Sequence, residues 1–97
     1  MSQIAYPFGS NRYPFSTADE RLKLAVWSKG SVIPGYDAAV WRRDVFGHAM
    51  KYSEHGNTDS QYGWEIDHIT PVARGGTDVL WNLQPLHWEN NRSKGDS

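Results

Sequence analysis

Cysteine is absent from all 97 residues, so neither a disulfide nor a thiolate zinc site staples this chain, and its redox compartment is not written in it. No stretch approaches the ~20 apolar residues of a membrane span. The N-terminal Met1-Ser2-Gln3-Ile4-Ala5-Tyr6-Pro7 has no basic region ahead of an apolar run, and the expectation is a cytoplasmic protein without a membrane partner. A basic excess is missing too. Ten Lys and Arg against eleven Asp and Glu give a net charge of −1, which excludes a domain that holds nucleic acid by bulk electrostatics and leaves room only for a local grip. There are no internal repeats and no low-complexity segments.

What the chain does have is aromatic mass. A domain of this length buries only about two thirds of the surface its unfolded chain exposes, so its core must be dense. Five Trp, five Tyr and three Phe suit that need, because each aromatic buries roughly 150–250 Å². Trp27, Trp41, Trp64, Trp81 and Trp88 are the expected core or core-edge residues. One domain is expected over 1–97: an irregular arm at 1–15, a helical extension at 16–45, and a hairpin followed by a compact core at 46–97.

Along the chain, residues 1–15 are rich in Pro, Gly, Asn and Tyr without periodicity, which reads as a lead-in. Thr17 and Glu20 form a possible capping box ahead of Leu22, Leu24, Ala25 and Trp27, predicting a helix over 18–29 that ends at Gly30. Ile33-Pro34-Gly35-Tyr36-Asp37 is a turn, with Asp37 placed to cap a short second helix through Ala38, Val40 and Trp41. Residues 49–53 and 62–66 are expected to pair as a hairpin across a long loop. Pro71, Gly75 and Gly76 force an irregular loop. A strand follows around Leu83 and Gln84, then a helix from Trp88 to Lys94 closed by Gly95.

The last third holds the polar pattern that points to chemistry. Trp64-Glu65-Ile66-Asp67-His68-Ile69-Thr70-Pro71 is followed by Arg74-Gly75-Gly76, Asn82-Leu83-Gln84 and Asn91-Arg92-Ser93-Lys94-Gly95. Thirteen residues separate His68 from Asn82, and eight separate Asn82 from Asn91. Adjacent residues of a strand, such as Asp67 and His68, project in opposite directions, so a carboxylate and an imidazole would face diverging sides of one strand end. Histidine suits a base role because its ordinary pKa leaves it mostly neutral yet basic at physiological pH.

This constellation resembles the HNH endonuclease motif, closely over the last third of the chain, loosely in the middle and hardly at all before that. The resemblance implies an α+β fold with a ββα-metal core at the C-terminus. It also implies that His68 is the general base, that Asp67 and Asn91 are metal ligands, and that Asn82 ties the intervening loop and so orients the histidine. Two oxygen ligands with the remaining sites left to water and phosphate favour Mg²⁺, with Mn²⁺ in its place, over zinc. Arg74, Arg92 and Lys94 are candidate phosphate contacts. His87 stands four residues before Asn91 and is either a third metal ligand, a phosphate contact, or a residue of the strand-to-helix turn pointing away. Glu65 orients a partner or lies on a solvated strand face, and is left out of the catalytic set.

Relatives of this family often carry two Cys pairs around a structural zinc. Here those places hold His48 and Lys51, then His87 and Asn90, so no structural zinc is expected and His48 and His55 read as surface or hairpin residues. The reading is a cysteine-free, stand-alone nuclease acting on DNA, most naturally double-stranded and nicked one strand at a time with low sequence specificity. Its rival is a non-catalytic nucleic-acid-binding module accessory to a phage packaging or restriction system, with a protein partner of that origin.

Overall fold

The computed structural model of the chain describes residues 17–95. The arm expected at 1–15 lies outside the described residues, as does the side chain of Thr17 and with it the capping box expected there. Asp19 and Glu20 stand in the first turn of α1 (Thr17–Trp27), where negative charge complements the helix dipole. Glu20 is also tied to the rest of the fold, accepting a 2.9 Å bond from the Tyr52 hydroxyl. Val26 and Trp27 at the C-terminal end of α1 are buried.

The second helix expected from Asp37 does not form. The Asp37 carboxylate does cap, accepting from the Ala39 amide at 2.9 Å, but the turn it closes runs directly into a strand, since β-branched and aromatic Val40-Trp41 favour extended backbone. Strands β1 (Ser31–Val32), β2 (Trp41–Arg43) and β3 (Ala49–Lys51) make a small antiparallel sheet in that order. The hairpin expected between 49–53 and 62–66 is also replaced: β3 gives its ladder to β2 and keeps one bond to the later segment, from the Lys51 amide to the Tyr62 carbonyl at 3.1 Å.

The C-terminal part forms as expected. β4 (Trp64–His68) pairs antiparallel with β5 (Leu83–His87), and α2 (Trp88–Lys94) follows at once. The register sets Trp64 opposite His87, Asp67 opposite Gln84 and His68 opposite Leu83. Gly95 ends α2 at φ 90°, a left-handed value that suits glycine. The whole is an α+β fold with the strand, loop, strand and helix unit at its C-terminal end.

Val26, Trp27, Met50, Trp64 and Leu83 form the core, with Tyr52 and Ile66 packed against it. Aromatic geometry supplies much of the contact: the Trp27 and Trp64 rings lie 5.0 Å apart and Trp27 meets Tyr52 edge-on at 5.4 Å. Each buried indole donor is satisfied, Trp27 by the Ala38 carbonyl and Trp64 by the Tyr52 carbonyl. Trp41 and Trp88 are half-buried, but Trp81 is 76% exposed and is not a core residue. The 3₁₀ turn Leu80–Asn82 explains this, because it turns buried Asn82 inward and leaves Leu80 and Trp81 outward.

Asp44 joins the two sheets. It is only 3% exposed, and one carboxylate oxygen accepts from the Phe46 and His48 amides at 3.0 and 2.9 Å. The other accepts from the His87 amide at 3.0 Å and the Asn90 side chain at 2.7 Å. The β2–β3 turn is thereby bonded to the start of α2.

Candidate active site

Alternation along β4 puts Glu65 and Asp67 on one face and His68 on the other. The first face receives α2. Asn91 donates to Glu65 at 2.7 Å, and the Arg92 guanidinium forks onto the same carboxylate at 2.8 and 3.0 Å. Burial pushes the Glu65 carboxyl up, but the bonds from Arg92 and Asn91 outweigh it and hold the pKa below the usual value. Lys94 reaches one oxygen of Asp67 at 3.1 Å and the His68 carbonyl at 2.8 Å, while Gln84 donates to the other Asp67 oxygen at 2.9 Å.

Asp67 is 1% exposed. An ammonium held against a buried carboxylate marks a place built for positive charge, since an isolated carboxylate there is strongly disfavoured. The donors at this face are the oxygens of Asp67, Glu65 and Asn91, the hard set that suits Mg²⁺ or Mn²⁺. By donor chemistry alone, these oxygens could hold a divalent cation. Glu65, left out of the expected site, is what brings Asn91 and Arg92 to it; its place two residues before Asp67 on a strand was the signal.

On the opposite face, the His68 ring is partly exposed and its Nε2 lies 2.7 Å from an Asp78 carboxylate oxygen. Asp78 was not among the expected site residues. Asn82 sits where the loop between β4 and β5 closes. Its side-chain oxygen accepts from the Thr70 amide at 2.9 Å, its Nδ2 donates to the Thr70 and Thr77 carbonyls at 3.2 and 2.8 Å, and its own carbonyl accepts from the Ile69 amide at 2.7 Å. Lys29 of the segment after α1 holds the far end of the loop, donating to the carbonyls of Leu80 and, at 2.6 Å, Leu83.

Gly75 and Gly76 serve this loop in different ways. Gly75 takes φ 91° at the end of the 3₁₀ turn Val72–Arg74. Gly76 is a close approach: a Cβ there would stand 1.7 Å from the Thr70 carbonyl oxygen and 3.0 Å from Asn82 Nδ2. Arg74 lies exposed at the end of the 3₁₀ turn Val72–Arg74 on the same loop.

His87 does not join Asp67. It pairs with Trp64, three positions along the ladder from the Asp67–Gln84 pair, which is roughly 10 Å at strand rise. Both ring nitrogens are engaged where it stands: Nε2 lies 2.8 Å from the Gln61 carbonyl, and Nδ1 caps α2 by accepting from the Glu89 amide at 3.1 Å. Of the three readings for His87, the strand-to-helix turn is the observed one.

His48, read as a surface or hairpin residue, lies in the β2–β3 turn and stacks on the His87 ring at 3.5 Å with 5° between planes. With Glu89 these two bring three possible ligand atoms within 4.8 Å of one another, a possible His/Glu metal site. Parallel rings aim their lone pairs alongside each other rather than at one ion, and Asp44 already bonds the backbone here. His55, read in the same way, is only partly exposed. It lies against Trp64 at 4.7 Å, and burial, reinforced by Lys23, pushes its pKa down to about 4.

Among the described residues no helix is long and apolar enough to cross a membrane. Neither a curated protein nor a solved structure matches the chain. The loop closed by Asn82, with a histidine on one flank and a carboxylate face under α2 on the other, covers the same stretch that a family model recognises: residues 51–97 match HNH endonuclease.

Proposed function

We propose that the chain is a metal-dependent endonuclease that hydrolyses phosphodiester bonds of DNA, nicking the duplex one strand at a time with low sequence specificity. Nucleases of the HNH family depend on a divalent metal and act on DNA, and the match over residues 51–97 supports reading that chemistry here. The observation that carries the reading is the divergence at the end of β4, where adjacent side chains present an imidazole to one side and a buried carboxylate to the other.

In this reading His68 takes the proton from the attacking water as its oxygen bonds to phosphorus, and the bond from phosphorus to the 3′-oxygen breaks on the opposite side. Asp67 and Asn91 would hold the cation, Mg²⁺ or Mn²⁺, with Glu65 fixing the Asn91 amide. A divalent ion there neutralises charge on the scissile phosphate and stabilises the departing oxygen. Asn82 keeps His68 oriented by locking the loop that follows it. Arg74, Arg92 and Lys94 supply positive charge for the phosphate backbone, that of Arg92 already balanced by Glu65. Lys94 meanwhile holds Asp67 when the carboxylate has no ion.

The test is conversion of supercoiled plasmid to open circle in Mg²⁺. The wild-type chain nicks, His68→Ala loses about 10²-fold or more of the rate, and chelator abolishes it. Undiminished nicking by His68→Ala or in excess chelator overturns the mechanism.

A further inference from the structure

The geometry points to Asp78 as a positioning residue for His68, fixing the ring so that Nδ1 is the nitrogen that accepts the proton from water. This rests on the reading of His68 as base and adds the group that orients it.

The two side chains meet at 2.7 Å through His68 Nε2 and Asp78 Oδ1. An ionised carboxylate only accepts, so Nε2 carries the proton and the lone pair of the neutral ring stays on Nδ1. No hydrogen bond to Nδ1 is formed among the described residues. A base oriented through its other nitrogen by a carboxylate is the general arrangement that keeps imidazole in one tautomer and one orientation.

A surface contact of this kind is ordinarily worth little, and the Asp78 side chain is 90% exposed. What distinguishes this pair is that the backbone on both sides of it is held. Asn82 bonds to Thr70, two residues after His68, and to Thr77, one residue before Asp78. Gly76 lets the two arms of the loop touch at the Thr70 carbonyl, where any side chain would collide. The Gly76 amide also donates to the Pro71 carbonyl at 2.9 Å. Asp78 is thus delivered to the ring by a closed loop rather than by the chance sweep of a surface side chain. Asn82 orients the histidine partly through Asp78, which is the link between the loop's closure and the base.

Asp78→Ala and Asp78→Glu test this in the full chain by steady-state nicking kinetics, Mn²⁺ affinity and NMR of the His68 ring. Asp78→Ala is expected to lower kcat about tenfold, a part of the factor a general base contributes. KM for DNA and Mn²⁺ affinity should stay unchanged, and the slowly exchanging downfield Nε2 proton of His68 should be lost. Asp78→Glu is expected to restore the resonance and part of the rate. Melting temperatures near wild type in both variants separate the effect from unfolding. Wild-type kcat in Asp78→Ala beside an inactive His68→Ala overturns the positioning role alone, as does a loss confined to KM. Full activity in His68→Ala overturns the reading of the base itself.

Discussion

Removing the Asp44 carboxyl leaves four donors without their acceptor, one of them the amide of fully buried His87. Unsatisfied buried donors cost about 1–3 kcal/mol each and charge-assisted bonds sit at the upper end. Asp44→Ala should therefore lower the unfolding free energy by about 3 kcal/mol, read as a shift in urea midpoint at constant slope. A change within 0.5 kcal/mol contradicts this. Asp44 and Asp78 were concealed in the sequence. Asp67 and His68 declare themselves by adjacency on one strand, whereas the Asp44 carboxylate meets partners 43 and 46 positions away and Asp78 meets His68 across a ten-residue loop. No local periodicity records such pairings. His55 was missed for a related reason: its burial against Trp64 comes from an isolated bridge between distant backbone segments.

The elements that carry the candidate site were legible because each is bounded by residues with few conformational options. Pro71, Gly75 and Gly76 stop β4 from continuing, and Gly95 closes α2. Among the N-terminal elements Gly30 and Pro34-Gly35 mark an end and a turn, but a capping aspartate at 37 reads equally as the start of a helix or the corner of a turn, and strands of two or three residues leave almost no alternation to detect. The loop from β4 to β5 yields a sharp expectation. Gly76→Ala must push its new methyl away from the Thr70 carbonyl, opening the contact that Asn82 closes. Nicking should fall at least tenfold, a larger loss than Asp78→Ala because the histidine loses its loop as well as its partner. Kinetics of Gly75→Ala and Gly76→Ala side by side check the assignment. Equal, mild effects at both positions contradict a close approach unique to Gly76.

For the whole molecule, acid stability follows from His55. Its folded pKa is lowered from 6.5 to about 4 by burial first and Lys23 second, against opposing influence from Glu20 and Glu65. The unfolded chain therefore binds the proton more readily. His55 is neutral in both states above 6.5, and the stability present there is lost as pH falls from 6.5 toward 4, by about 3 kcal/mol on the linkage relation. Urea midpoints measured across that window should decline, and His55→Phe should flatten the decline. An unchanged slope in that variant assigns the acid lability elsewhere.

The account's central claim is that a divalent cation and His68 flank one phosphate at the end of β4. The most direct measurement is the position of Mn²⁺ located by anomalous scattering in a crystal of the chain. The expected result is a peak within ligand distance of Asp67 and Asn91 with the Lys94 ammonium moved off the carboxylate. A peak confined to His48, His87 and Glu89, with Lys94 still on Asp67 at saturating Mn²⁺, contradicts it.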